Sequence, residues 1–244
     1  MQIRGILEKM LLAVTLLVPS NLETTLAPNN QVQSGAAAPL KQNLDLPYDA
    51  IGASEDEEDA PEIISFYGQN FEGDAFLYVI DKSSSMRDSG ELEIAKKEVI
   101  KNVAEFSPRV QFGIVDFDTN VQSYPNSNSL LDANPANKSN AISYINSIQG
   151  SQGSCCEEAL LKGIRMINSS NSPRRVVNYV GDGGGTCKGA NEAEYLQRSV
   201  KTVTSANFKR AQINSIQVLD SQNLNEEFLK NLASANKGTY VKIR

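Results

Sequence analysis

The chain has 244 residues, of which 40% are hydrophobic, and a formal net charge of −6; it contains no histidine. This hydrophobic content is enough for one core of ordinary domain size. The lack of histidine excludes a Ser-His-Asp triad, a Cys-His catalytic pair, histidine-ligated zinc and histidine acid–base chemistry.

The acidic charge is concentrated in the first part of the chain. From Glu72 onward there are 20 basic and 19 acidic side chains, a net charge of +1, so the first 71 residues carry a net charge of −7. A nearly neutral folded part offers no basic stripe for nucleic acid. We therefore expect no nucleic-acid partner.

The first 20 residues have the pattern of a secretory signal peptide. Arg4 and Lys9 precede an apolar run from Met10 to Val18, followed by Pro19 and Ser20. The run is short for a membrane span, which needs about 20 apolar residues. The expectation is a cleaved signal at 1–20, with an uncleaved anchor or a buried helix as alternatives. The mature protein would then be periplasmic or secreted.

Residues 21–70 are predicted to form a flexible acidic linker. The segment is rich in Asn, Gln, Ala, Pro and acidic residues and contains the acidic block Glu55–Asp59. Such a composition cannot bury enough apolar surface to order itself. A calcium-binding tail is a sharper alternative, but its carboxylates are not spaced like a closed ion loop. The folded domain is predicted at 71–244.

Strands and helices alternate along the predicted domain. Continuous apolar runs indicate buried strands, and apolar residues at helical spacing indicate amphipathic helices. Strands are predicted at Ala75–Ile80, Val110–Phe117, Val121–Tyr124, Val176–Val180, Ala211–Leu219 and Thr239–Ile243; helices are predicted at Glu91–Phe106, Ala141–Ile148, Glu157–Ile167, Glu192–Thr204 and Asn225–Ala233. This alternation predicts an α/β fold with a doubly wound, mostly parallel, Rossmann-like central sheet and helices on both faces.

Oxygen-bearing side chains directly follow two of these strands. Asp81, Ser83 and Ser85 alternate after the first strand, and Asp182 follows the fourth within a glycine-rich segment. Ligands of such sheets bind outside the carboxyl ends of the strands, and hard divalent cations prefer oxygen ligands. Taken singly, the serines also fit a helix cap and Asp182 a turn.

Three segments resemble the metal-ion-dependent adhesion site (MIDAS) of the von Willebrand factor A (VWA) domain family. Asp81-Lys-Ser-Ser-Ser-Met86 is similar to its Asp-x-Ser-x-Ser motif. Ser154, in a glycine-bearing loop before an Ala-Leu pair, lies in the place of the family's Thr, and Asp182-Gly183 matches its last element. The resemblance covers roughly residues 71–244 and implies a VWA fold of the bacterial exported type.

The resemblance also implies a ligand set. Ser83, Ser85 and Ser154 would be direct hydroxyl ligands, and Asp81 and Asp182 would bind the ion directly or through water. The ion would be Mg²⁺, with Mn²⁺ and Ca²⁺ as alternatives, and a sixth position would accept water or a partner's carboxylate. Replacement of Thr by Ser removes the methyl group that restricts the rotamer at position 154.

The three cysteines suggest one disulfide and one remaining thiol. Cys155 and Cys156 follow Ser154, and Cys187 lies five residues after Asp182. Because both loops belong at the same sheet edge, a bridge from Cys187 to Cys155 or Cys156 is expected. Three free thiols, or a metal centre of three cysteines, are the alternatives.

The leading functional expectation is a non-enzymatic module that uses its cation to engage a protein or surface ligand, as in adhesion. One alternative is a metal-dependent phosphoester hydrolase, which needs a further base or metal; Asp116 and Asp118 are the candidate carboxylates. The other is a structural subunit of an envelope assembly.

Lys82, between the first two ligands, is expected to be solvated. The glycines after Asp182 lack phosphate-loop spacing. The oligomeric state is left open.

Overall fold

A computed structural model of the protein describes residues 60–185, 187–189, 191–218 and 223–243. The predicted signal peptide at 1–20, and the predicted linker up to residue 59, lie outside these residues. Among the residues described, no helix combines the length and apolar character that a membrane crossing requires.

The described chain alternates strands with helices. Its strands are β1 Glu62–Phe66, β2 Gln69–Gly73, β3 Ala75–Asp81, β4 Gln111–Phe117, β5 Val121–Tyr124, β6 Leu131–Asp132, β7 Arg175–Gly181, β8 Gln212–Gln217 and β9 Tyr240–Lys242. Its helices are α1 Ser84–Ser89, α2 Glu91–Glu105, α3 Pro135–Ser147, α4 Cys156–Ser169, α5 Glu192–Ala206 and α6 Asn223–Ala235.

Each predicted strand and helix is found, and all but β5 have at least one shifted end. The largest shift is in α3, which begins at Pro135 instead of Ala141. Asn134 caps this helix by accepting a hydrogen bond from the amide of Asn137 at 2.9 Å, and proline is favoured in the first turn. The short elements α1 and β6 were not predicted. Gly90, in the left-handed conformation (φ 82°), separates α1 from α2.

The folded part includes residues before the predicted start at 71, because β1 and β2 form an antiparallel hairpin within and just after the region expected to be linker. Three apolar side chains from the hairpin are buried: Ile64, Phe66 and Phe71. Asn102 of α2 donates a hydrogen bond to the carbonyl of Ser65 at 2.7 Å. The linker prediction was therefore wrong for residues 62–70, where alternating apolar residues outweigh the polar composition.

The main sheet has the order β5-β4-β3-β7-β8-β9, with β6 also paired to β4. β3, β4, β7, β8 and β9 run parallel, and β5 and β6 run antiparallel to β4. The chain first adds strands on one side of β3 and then continues on the other side with β7. The strand order therefore reverses between β3 and β7, the position at which such sheets bind ligands.

Helices cover both faces of the sheet. Helices α4, α5 and α6 pack on the face that carries Leu77 and Val79, and α1, α2, α3 and the hairpin pack on the face that carries Phe76, Tyr78 and Ile80. All seven residues of β3 are buried, as expected for a central parallel strand. The predicted doubly wound α/β fold is confirmed.

Candidate metal centre

Asp81 is the last residue of β3, and its side chain is fully buried. Its Oδ1 accepts a hydrogen bond from the amide of Ser83 at 2.8 Å. The neighbouring strand ends at Gly181, where an added Cβ atom would lie 2.8 Å from the Cβ of Asp81. A glycine at position 181 is thus what allows the Asp81 carboxylate to lie between the two strands.

The two motif serines link Asp81 to the loop after β7. The hydroxyl groups of Ser83 and Ser85 are 3.1 Å apart, and Ser85 Oγ donates to Asp182 Oδ2 at 2.6 Å. Ser83 occupies the N-cap position of α1, but its side chain makes no capping hydrogen bond. The helix-cap interpretation is therefore wrong for this hydroxyl group, which faces the other site residues.

Ser154 joins the same cluster from a third loop, immediately before α4. Its hydroxyl donates to the carbonyl of Gly184 at 2.7 Å and lies 3.4 Å from Asp81 Oδ2. Asp182 Oδ1 accepts a hydrogen bond from the amide of Gly184 at 2.9 Å. The structure thus brings together all five predicted ligands, Asp81, Ser83, Ser85, Ser154 and Asp182, in one hydrogen-bonded cluster.

The surroundings of Asp81 disfavour the ionised form of its carboxyl group. Burial and the nearby charge of Asp182 raise the pKa of Asp81 to about 8, against the lowering effect of hydrogen bonds from Ser83 and Ser154. No described basic residue forms an ion pair with Asp81. The Tyr179 hydroxyl, about 3.2 Å from a Cβ placed at Gly181, is buried without a hydrogen-bond partner among the described residues.

Lys82 is not solvated as predicted. Its side chain is 6% exposed, with Nζ 2.6 Å from Asp116 Oδ1 and 3.9 Å from Asp118 Oδ2. Nζ also donates to Gln122 Oε1 at 3.1 Å. The lysine is therefore part of a buried ionic cluster beside the site, in which it balances two carboxylates.

Asp116 does not point toward the candidate site. It is in register with Ile80 of β3, whereas Asp81 is in register with Phe117. Because successive side chains of a strand point to opposite faces, Asp116 lies on the opposite face of the sheet from Asp81. There it contacts Lys82 and accepts a hydrogen bond from the Tyr144 hydroxyl. The sequence did not predict this cluster, because it depends on strand register.

A disulfide joins two of the three site loops. Cys155 and Cys187 are bridged, with their Cα atoms 4.6 Å apart, and Cys156 is a buried free thiol. Of the two pairings expected, the structure contains the one through Cys155. The bridge excludes both alternatives, three free thiols and a centre ligated by three cysteines.

The sequence profile of the von Willebrand factor type A domain matches residues 77–244, more than half of the chain. The chain belongs to this family. The VWA domain resembles inter-alpha-trypsin inhibitor heavy chain H2 of Sus scrofa, with 29% identity over 175 residues, 68% of this chain and 18% of that protein. It also resembles heavy chain H4 of Homo sapiens, with 31% identity over 100 residues, 41% of this chain and 10% of that protein. The matches thus span only a small part of these relatives.

Several solved structures share the fold of this VWA domain. A von Willebrand factor type A protein from Catenulispora acidiphila superposes with a TM-score of 0.61 at 17% identity, covering 72% of this chain and 40% of that one. The pilus adhesin SpaC of Lactobacillus rhamnosus GG gives 0.55 at 14% identity, covering 72% and 28%. The type V pili tip protein Mfa5 of Porphyromonas gingivalis gives 0.56 at 11%, covering 68% and 46%. At these identities the likeness shows the fold alone.

Proposed function

We propose that the VWA domain binds a divalent cation, Mg²⁺ with Mn²⁺ and Ca²⁺ as alternatives, through Asp81, Ser83, Ser85, Ser154 and Asp182. The observation that carries the proposal is the convergence of five oxygen-bearing side chains from three loops at the switch point of the sheet. Two carboxylates and three hydroxyl groups form the hard oxygen set that these cations prefer. The donor set therefore fits a MIDAS.

The hydrogen bonds within the cluster leave its oxygen atoms suited to this role. The hydroxyl protons of Ser85 and Ser154 are accepted by Asp182 and by the carbonyl of Gly184. Lone pairs of both hydroxyl oxygens thus remain available to a cation. A bound cation would also supply the positive charge that the buried Asp81 carboxylate lacks among the described residues, since burying an uncompensated charge is costly.

The same site supports a role in protein binding. Ser85 is exposed, so the cluster reaches the protein surface at the carboxyl edge of the sheet. When bound there, the cation would supply a Lewis-acidic position for a carboxylate of a protein or surface ligand. Pilus adhesin and pilus tip proteins share this fold, which agrees with an exported, non-enzymatic adhesion module. The predicted signal peptide would direct it to the periplasm or the exterior.

The phosphoester hydrolase alternative receives less support. The two extra carboxylates that it would need, Asp116 and Asp118, are both buried beside Lys82, and Asp118 Oδ1 accepts a hydrogen bond from the amide of Asn120 at 2.6 Å. Neither is left available as a general base at the candidate centre. A metal-stiffened structural subunit of an envelope assembly stays an alternative that experiment can separate from adhesion.

Calorimetric titration with MgCl₂ or MnCl₂ tests the cation site. The exposed Ser85→Ala should fold normally and weaken binding by at least about tenfold, because even outer-shell partners of a metal contribute 10- to 100-fold. Ser84→Ala is the matched control, since Ser84 lies next to Ser85 in α1 but has no part in the cluster. Equal heats for wild type, Ser85→Ala and the near-isosteric Asp81→Asn would refute the cation site.

The partner role needs a separate measurement. Affinity capture from the envelope of the producing cell, with Mg²⁺ or with EDTA, should recover a partner only when the cation is present. The same partner should be lost with Ser85→Ala and retained with Ser84→Ala. Capture that is unchanged by EDTA would instead favour the structural subunit.

A further inference from the structure

The Cys155–Cys187 disulfide connects two of the three site loops across a sequence separation of 32 residues. Cys155 directly follows Ser154, and Cys187 lies in the loop that begins with Asp182. Both cysteines are buried, with exposures of 1% and 3%. The bridge thus fixes the backbone one residue from one proposed ligand and five residues from another.

The loop that carries Asp182 is rich in glycine, and apart from the bridge it is held by hydrogen bonds from Ser85 Oγ to Asp182 Oδ2 at 2.6 Å and from the Gly185 amide to Glu192 Oε1 at 3.2 Å. Three consecutive glycines follow Asp182, and Gly183 has a φ of 81°. Glycine gives the backbone large conformational freedom, which must be lost whenever the loop adopts one geometry. Among the described contacts, the direct hydrogen bond from the Ser154 hydroxyl to the Gly184 carbonyl is the one that joins the two loops near the ligands.

The Ser154 loop is in contrast anchored to the sheet. The amide of Cys155 donates to the carbonyl of Asp118, just after β4, at 2.8 Å. On the other side of the bridge, Cys187 Sγ lies 3.6 Å from Glu158 Oε1, and Glu158 Oε2 accepts a hydrogen bond from the Tyr195 hydroxyl at 2.9 Å. The disulfide therefore ties the glycine-rich loop to a well-anchored position.

We propose that Cys155 and Cys187 are positioning residues for the cation site, so that cation affinity depends on the disulfide. The bridge sets the separation between the Ser154 hydroxyl and the Asp182 carboxylate and removes conformations in which these two ligands move apart. Without it the cation must order the glycine-rich loop on binding. This inference rests on the proposed cation-binding function.

The test compares cation binding by Cys155→Ala/Cys187→Ala with that of wild type and of Cys156→Ala. Cys156 is the matched control because it is equally buried and adjacent to Cys155 but lies outside the bridge. The double variant should bind Mg²⁺ about 10- to 100-fold more weakly than wild type, the range typical of residues that orient metal ligands. Cys156→Ala should bind like wild type.

Circular dichroism without the cation must show both variants folded at the titration temperature. A second measurement avoids substitution: dithiothreitol reduces the bridge to two thiols and is itself oxidised to its cyclic disulfide. Affinity should fall on reduction of wild type and return on reoxidation, whereas the affinity of the double variant should not change. This covers the case in which the double variant does not fold.

The outcomes separate the two proposals. If wild type binds no cation, the proposed function itself fails. If wild type binds but oxidised protein, reduced protein and the double variant all have the same affinity, the cation site stands and the positioning role is refuted. Weaker binding by Cys156→Ala to the same extent as the double variant would also refute it, since the effect would then come from core packing.

Discussion

Substituting Lys82 with methionine would leave the Asp116 carboxylate buried without its cation. The side chains of the pair are 6% and 0% exposed, and Nζ lies 2.6 Å from Oδ1. At this separation the Coulomb attraction between the two charges is about 6 kcal/mol for an effective dielectric constant of about 20. Much of this energy offsets the cost of removing both charges from water. Removing only the lysine should reduce the free energy of unfolding by about 3–5 kcal/mol.

Urea unfolding followed by far-ultraviolet circular dichroism suits this measurement, because the chain has no tryptophan. Lys82→Met, Asp116→Asn and the double variant form a cycle. The double variant should be more stable than Lys82→Met alone, since it removes the uncompensated charge of Asp116 and leaves only that of Asp118, which lies farther from Nζ at 3.9 Å. A loss below about 0.5 kcal/mol for Lys82→Met, as for a typical surface substitution, would refute the buried ion pair.

Three further predictions test the site, the thiols and the hairpin. Gly181→Ala should abolish cation binding in a calorimetric titration, because the new methyl group would lie 2.8 Å from the Cβ of Asp81; unchanged binding would show that the carboxylate does not need this close approach. Burial raises the pKa of the Cys156 thiol, so iodoacetamide should label no thiol in the native protein. It should label one thiol after denaturation and three after denaturation with reduction. Labelling of three thiols in denatured protein without reductant would exclude the disulfide. Asn102→Ala removes the hydrogen bond to the Ser65 carbonyl at 2.7 Å and should cost about 1–3 kcal/mol, with faster proteolysis in the hairpin; equal cleavage rates in variant and wild type would contradict this role.

The strands that carry the site could be predicted from local sequence. The apolar runs that end at Asp81 and just before Asp182 are long enough and apolar enough to indicate buried strands. Because such strands run parallel, their ends meet at one edge. The hairpin was not predicted, because the acidic residues before it favour a linker, whereas the alternation of Ile64 and Phe66 that indicates a strand is short.

The pairing of Lys82 with Asp116, in contrast, could not be predicted from local sequence. No local pattern distinguishes a solvated lysine in a turn from one whose side chain is buried beside carboxylates. The answer depends on which residues of β3 and β4 are in register, and a shift of one residue would reverse every face. Their buried pairing could therefore be read only from the assembled sheet.

Which of the two adjacent cysteines is bonded to Cys187 likewise depends on tertiary structure. Cys155 and Cys156 are neighbours in sequence, yet the first lies in the loop facing Cys187 and the second starts α4 with its side chain in the core. The sequence by itself determined the types and the order of the oxygen-bearing residues at the strand ends, because side-chain chemistry and hydrophobic periodicity are local properties. Tertiary structure decided which of these groups meet, which face Asp116 occupies and which thiol is bridged, because each depends on distances between segments far apart in the chain.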